Sequence, residues 1–252
     1  RFRAILFDQR GCGRSTPLGA SEANTTAHLV ADLERLREYL GIPAWIVFGG
    51  SWGSALGLAY AQAYPARVLG LVLRGIFLGS REEIHAYVQG HSSAAPAAWE
   101  VFADATPAGE RADLLAAYAR RIIDDNPAIA APATRAWLDY ERALMGEPPL
   151  AEPPDSVRIA KARLQIHYLT NTCFLPPGAL LAGIEKIRHI PAAIVHGTAD
   201  PVCPLQIAEK LHDAWPEATW VPVAGAGHGG LSPPIAHACI EALGWVAEWA
   251  GG

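Results

Sequence analysis

The stretch Trp45–Gly53, WIVFGGSWG, has the pattern of a strand, a sharp turn and the start of a helix. Its first four residues form an apolar run typical of a buried strand, and the Ala-rich segment after it has the composition of a helix that ends at Pro65. A turn that joins a strand to a helix through G-x-S-x-G is sharp, and the glycines around Ser51 permit its close backbone approaches. The stretch therefore predicts a serine held between a strand end and a helix N-terminus. A tight turn with an incidental serine is the alternative.

Outward from this stretch, apolar runs alternate with helical patterns on both sides. Besides a helix from Thr26 that is closed by Gly41, strands are predicted at Ala4–Phe7, Trp45–Phe48, Val68–Phe77, Ala192–Val195 and Thr219–Val223. This alternation predicts an α/β protein with a mostly parallel sheet and helices on both faces. Residues 80–188 carry helical patterns without a strand, so we expect a helical cap domain there, inserted into a core of 1–79 and 189–252.

Composition and charge narrow the class of protein. With 252 residues, 51% hydrophobic and 18% charged, the chain can bury a sizeable core, and it has no apolar run long enough to span a membrane. A net charge of −5 argues against nucleic acid as a partner. No two cysteines have the C-x-x-C spacing of a zinc site, and their scatter suits a reducing compartment, so we expect a cytoplasmic protein. The four cysteines are Cys12, Cys173, Cys203 and Cys239.

The partners that a nucleophilic serine needs follow later in the chain. Asp200 lies just past a late predicted strand, and His228 lies in a glycine-rich loop after the last one, in the order Ser, Asp, His. His196 competes for the role of base but falls at a strand end, where a structural role is expected. With the backbone N–H of Trp52 as an oxyanion donor, Ser51 predicts acyl transfer on an ester or amide.

Four segments together resemble the proline iminopeptidase (prolyl aminopeptidase) family of α/β-hydrolases. They are Asp8–Ser15 (DQRGCGRS), Gly49–Ser54 (GGSWGS), Val72–Phe77 (VLRGIF), and Cys203–Gln206 taken with Ala214–Glu217. The resemblance covers nearly the whole chain. It implies an α/β-hydrolase core with a helical cap, and release of N-terminal proline from small peptides without a metal or other cofactor.

The resemblance also implies roles for individual side chains. It assigns Glu141 to the substrate's free amino group, for which a carboxylate is chemically suited, and Arg74, Phe77 and Tyr87 to the substrate pocket. Cys203 matches a cysteine near the mouth of the site. The alternatives are a solvated helix face for Glu141, core aromatics for the rings, and a small buried apolar residue for Cys203.

Two departures from the family pattern bear on specificity and activity. Gln165 stands where the family has a second amine-binding glutamate, and Leu169 replaces a pocket aromatic, so we expect weaker recognition of the free amine. No H-G-G-P-G motif, the family's second oxyanion donor, precedes Ser51. We therefore expect the first sheet strands and that donor to lie upstream of Arg1. The rival hypotheses are a broad esterase or amidase on the same triad, and an inactive fragment that lacks the oxyanion loop.

Overall fold

A computed structural model describes residues 2–90 and 95–250. The chain divides into two compact units, which we call the helical unit, Arg1–Leu29 with Val88–Phe174, and the sheet unit, Val30–Tyr87 with Leu175–Gly252. The described residues of 80–188 fall in both units. The cap domain expected over 80–188 stays a prediction.

The sheet unit is built on four parallel strands in the order β1-β2-β3-β4. They are β1 (Trp45–Ser51), β2 (Val68–Ile76), β3 (Ala192–Gly197) and β4 (Thr219–Val223). The four strands predicted in these regions are thus confirmed, together with the α/β-hydrolase fold class. Because parallel strands end at the same edge of a sheet, the residues after Ser51, Ile76, Gly197 and Val223 share one edge.

Ten α-helices are found in the part of the chain that the structure describes. They are α1 (Thr26–Tyr39), α2 (Trp52–Ala63), α3 (Arg81–His85), α4 (Pro96–Asp104), α5 (Leu114–Ile122), α6 (Pro127–Leu144), α7 (Ser156–Thr170), α8 (Ala179–Ala182), α9 (Leu205–Ala214) and α10 (Pro233–Ala250). Within these residues, no helix is both long and apolar enough to cross a lipid bilayer.

Alternate residues of β2 face helices on opposite sides of the sheet. Val72 is buried in a cluster with residues of α10, and a Cβ added at Gly70 would collide with Val246 of that helix. Leu73 points the other way, since a Cβ added at Gly57 of α2 would lie 3.3 Å from its side chain. This alternation with period two is why β2 is apolar along nearly its whole length.

The helical unit packs α4 to α7 around stacked aromatic rings. The ring of Phe102 stacks on Tyr118 and on Tyr140 with centroids 4.3 Å apart in each pair, and Trp137 meets Phe102 edge-on. The hydroxyl of Tyr118 donates to the Phe102 carbonyl at 2.7 Å, which satisfies a buried polar group. These large rings explain how an Ala-rich segment builds its own core.

The strand predicted at Ala4–Phe7 is wrong. In the structure these residues pair with no strand among those described, and the side chain of Leu6 is 92% exposed. The segment belongs to the helical unit, whereas all four strands belong to the sheet unit. An apolar run becomes a strand only where a neighbouring strand accepts its backbone hydrogen bonds, and sequence pattern does not reveal that neighbour.

Candidate active site

Ser51 occupies a strained turn between β1 and α2. Its φ of 56° and ψ of −123° lie in a region that L-residues rarely adopt. The turn is so tight that a Cβ added at Gly49 would collide with the carbonyl oxygen of Gly53. Trp52 is the first residue of α2, so its backbone N–H lies in the turn where the helix dipole is positive. The local sequence thus presents a serine at the carboxyl edge of the sheet, in front of a helix N-terminus.

The side chain of Ser54 links this turn to Phe77, the residue that follows β2. The sequence analysis missed this role. Its fully buried hydroxyl donates to the Ser51 carbonyl at 2.7 Å and accepts from the backbone N–H of Phe77 at 3.0 Å. A serine directly after G-x-S-x-G, on a helix otherwise rich in Ala and Leu, is the signal that could have revealed it.

Asp200 and His228 form a buried acid–base pair. Nδ1 of His228 lies 2.7 Å from Oδ2 of Asp200, and Oδ1 of Asp200 accepts from the backbone N–H groups of Val202 (2.8 Å) and Cys203 (2.9 Å). Because an ionised carboxylate only accepts hydrogen bonds, Nδ1 carries the proton and Nε2 is left as the acceptor nitrogen. This is the tautomer that a general base for a serine hydroxyl requires.

Cys203 follows the acid in the same loop, and its backbone N–H donates to Asp200. Burial and the negative charge of Asp200 raise the pKa of the Cys203 thiol well above its usual value. Among the hydrogen bonds of the described residues, the acid–base pair is present and none joins Ser51 to His228. Catalytic hydrogen bonds are often formed only once substrate is bound.

His196 is fully buried, and both of its ring nitrogens are used. Nδ1 accepts from the Ile76 N–H at 3.0 Å, so Nε2 carries the proton and donates to the Cys203 carbonyl at 2.9 Å. Burial lowers the pKa of His196, which keeps the ring neutral. With no nitrogen left to accept a proton from Ser51, His196 is a weaker candidate for the base than His228.

The remaining residues expected around a substrate in the sheet unit have structural contacts. Arg74 donates from Nη1 to the backbone carbonyl of His228 at 3.0 Å. Phe77 is half-buried and tied through its N–H to Ser54, and Tyr87 is half-buried in the segment Ala86–Gly90. Their roles in a substrate pocket stay predictions.

In the helical unit, both oxygens of the Glu141 carboxylate have partners. The side-chain amide of Gln165 donates to Oε1 at 3.3 Å, and the ammonium of Lys161 lies 2.9 Å from Oε2. The carbonyl oxygen of Gln165 in turn accepts from the Trp137 indole at 3.0 Å. Sequence analysis missed Lys161, although it lies four residues before Gln165 and so on the same face of α7.

The sequence of this chain is similar to those of known proteins. A sequence model of the α/β hydrolase fold matches residues 1–232. The proline iminopeptidase of Arabidopsis thaliana is 45% identical over 96% of this chain, which spans 66% of that protein's length. The proline iminopeptidase of Neisseria gonorrhoeae is 44% identical over 96% of this chain and 79% of its own. The solved structures described next are under 25% identical and share the fold alone.

Solved structures with low sequence identity share the architecture. A mutant N-acyl homoserine lactonase in complex with N-hexanoyl homoserine lactone matches with a TM-score of 0.63 and 20% identity over 96% of this chain and 78% of its own. An esterase from Exiguobacterium antarcticum matches with a TM-score of 0.55 and 16% identity over 95% of this chain and 80% of its own. Hydrolases with different substrates therefore share this fold.

Proposed function

The chain belongs to the proline iminopeptidase family of the α/β-hydrolase fold, and from this premise we propose that it is a serine aminopeptidase. It releases an N-terminal proline, or another small residue, from peptides through an acyl-enzyme. The observation that carries the proposal is the strained Ser51 at the same sheet edge as the 2.7 Å Asp200–His228 pair. Such an edge, with nucleophile, base and acid on three different loops, is suited to acyl transfer.

Each residue of this set has one chemical task. The Ser51 hydroxyl attacks the scissile carbonyl while Nε2 of His228 takes its proton, and Asp200 stabilises the imidazolium that forms. The Trp52 N–H donates to the developing oxyanion, a contribution of about 100- to 1000-fold in rate for a single donor. His228 then protonates the leaving amine, and water attacks the acyl-enzyme with His228 as base again.

Before the attack, the Ser51 hydroxyl has to come within hydrogen-bonding distance of Nε2 of His228, a contact that substrate binding often completes. Cys203 lies in the loop of the acid, where its backbone N–H holds Asp200. Modification of the Cys203 thiol should slow the enzyme by obstruction.

The roles that the family resemblance implies are kept as proposals: Glu141 for the substrate's free amino group, and Phe77 and Tyr87 for the proline ring. The family resemblance supports these roles, and the carboxylate of Glu141 supplies the charge that an ammonium requires. Here the carboxylate already holds Lys161 and the neutral Gln165 amide. The ammonium of a substrate therefore has to compete with the ammonium of Lys161 for the Glu141 carboxylate. This competition supports weaker selectivity for substrates with a free N-terminal amine.

The same cluster favours a second candidate function, a broader esterase or amidase on the same triad. The discriminating assay compares a proline arylamide with its N-acetylated form, with Ser51→Ala as the control for background hydrolysis. Strong preference for the free amine supports the aminopeptidase, whereas equal turnover of both supports the broader hydrolase. Failure of a fluorophosphonate probe to label Ser51 would instead favour a protein without hydrolase activity.

We also propose a cytoplasmic location with small peptides as the partner. Support for this location comes from the cysteines, none of which forms a disulfide within the described residues. Fractionation of cells that produce the protein from its natural gene tests it, and recovery in a secreted fraction would exclude it.

A further inference from the structure

We propose that Arg74 is a positioning residue that fixes the His228 loop against the strand carrying the nucleophile. This inference rests on the proposed function, in which His228 is the base for Ser51. The family resemblance assigns Arg74 to substrate contact, but in the structure its guanidinium donates to the loop of the base and lies beside Gly50, the residue before Ser51. It would act on the reaction through His228 and not by touching the substrate.

The first observation is the hydrogen bond that Arg74 makes to the base itself. Its Nη1 donates at 3.0 Å to the backbone carbonyl of His228, a residue 154 positions away in sequence. The loop around His228 contains four glycines in six residues, Gly225 to Gly230, and a chain of this composition has many accessible conformations. A charged donor on the carbonyl of His228 removes that freedom at the residue where position matters most.

The second observation is a slot of two glycines that accommodates the guanidinium. Gly50 lies beside Arg74 in the β1–β2 register, and a Cβ added at Gly50 would collide with the guanidinium. A Cβ added at Gly230 would lie 2.7 Å from Cζ of Arg74. The guanidinium therefore lies between the backbone next to Ser51 and the backbone next to His228, and it sets the spacing between them.

The third observation is that the residue after Arg74 leaves room for the imidazole. Gly75 has φ of 52°, and a Cβ added there would lie 3.1 Å from Cε1 of His228 and 3.3 Å from Nδ1. The end of β2 thus holds the base at its carbonyl through Arg74 and leaves, at Gly75, the space that the imidazole occupies. Asp200 holds Nδ1.

Arg74 has no carboxylate partner among the described residues, so an ion pair does not account for its presence. A planar guanidinium fits a slot between two glycine backbones, while the compact ammonium of lysine does not fill it. We therefore expect Arg74→Lys to be an incomplete replacement and Arg74→Met to be worse. Loss of a hydrogen bond from a charged group predicts a fall in kcat of about 10- to 100-fold for Arg74→Met.

The test measures kcat and KM of the wild type, Arg74→Lys and Arg74→Met on a proline arylamide and on p-nitrophenyl acetate, which has no proline ring or amine. We expect kcat to fall by a similar factor on both substrates while KM stays within about twofold. We also expect the low-field proton resonance of the His228–Asp200 hydrogen bond to shift or broaden. Raised KM on the proline arylamide alone, with unchanged ester hydrolysis and an unchanged resonance, would overturn the proposal in favour of substrate contact.

A second pair of variants covers the case in which Arg74→Met fails to fold. Gly230→Ala pushes on the guanidinium and should lower kcat on both substrates, whereas the control Gly244→Ala adds a methyl where nothing lies within 4 Å. Equal activity of the two variants would count against the proposal. If the wild type cleaves the ester but not the proline arylamide, the proposed function fails while the role of Arg74 is still tested on the ester.

Discussion

Replacing Lys161, the lysine paired with Glu141 in the helical unit, should increase the preference for substrates with a free amine. In Lys161→Met the ammonium 2.9 Å from Oε2 of Glu141 is replaced by an uncharged side chain of similar length, and the carboxylate keeps only the Gln165 amide. If Glu141 binds the substrate ammonium, that ammonium no longer competes with Lys161. The KM for a proline arylamide should therefore fall.

The size of the effect follows from the exposure of the pair. The side chain of Lys161 is 57% exposed and that of Glu141 is 24% exposed, so solvent screens their attraction. Exposed ion pairs are worth about 0.2–1 kcal/mol, which corresponds to a fall in KM of about 1.4- to 5-fold. Higher salt weakens the wild-type pair, so the difference between variant and wild type should shrink as ionic strength rises.

The assay measures kcat and KM for a proline arylamide and its N-acetylated form at low and high salt. Lys186→Met is the matched control, because it removes an exposed lysine from the sheet unit. A lower KM confined to the free amine and to Lys161→Met is the expected result. An equal change on both substrates, or a higher KM for the free amine, would refute the role given to Glu141 and Lys161.

Three further substitutions test the site. Gln165→Glu adds a second carboxylate and should raise kcat/KM for the free amine about 5-fold, which is the difference between a charged and a neutral hydrogen bond. An unchanged ratio of kcat/KM for the free substrate to kcat/KM for its N-acetylated form would contradict this. Ser54→Ala leaves the buried N–H of Phe77 without its acceptor, so a loss of about 1–3 kcal/mol in unfolding free energy and a lower kcat are expected in denaturant titrations and assays, and wild-type values would exclude the role. Because burial lowers the pKa of His196, its contribution to the free energy of unfolding is fully present above about pH 6.5 and is lost as the pH falls below that value. The variant His196→Gln should be less stable and should lose this part of the pH dependence of Tm. If the variant keeps the wild-type slope of Tm against pH, other groups are responsible for it.

Much of the sheet unit could be predicted from local sequence. The four strands of the sheet were found because each is a short apolar run bounded by glycine or by a helical pattern, and these signals act over fewer than ten residues. The order Ser51, Asp200, His228 suggested the candidate site, because each residue lies in the turn or loop that comes after a predicted strand. The strand predicted at Ala4–Phe7 was wrong because its pattern is local but its partner is not.

The contacts that tune the site could not be predicted in the same way. Gln165 was recognised as a departure from the family pattern, but the occupation of Glu141 by Lys161 depends on how α6 and α7 pack. Arg74 was assigned to a substrate pocket, while its contact with His228 depends on the register of β1 against β2 and the path of a loop far along the chain. Neither the packing of α6 against α7 nor the register of β1 against β2 can be predicted from local sequence patterns.

The parallel sheet, the sharp turn at Ser51 and the family follow from the sequence alone, because apolar periodicity and glycine spacing are properties of neighbouring residues. The side chains that support that turn and its base are known only from the folded chain. Ser54, His196 and Arg74 each make a hydrogen bond to a backbone group more than 20 residues away in the chain. The physical reason is that a hydrogen bond of 2.7–3.0 Å forms only when the fold places its donor and acceptor correctly to within a few tenths of an ångström. Groups far apart in the chain reach that precision only in the folded protein.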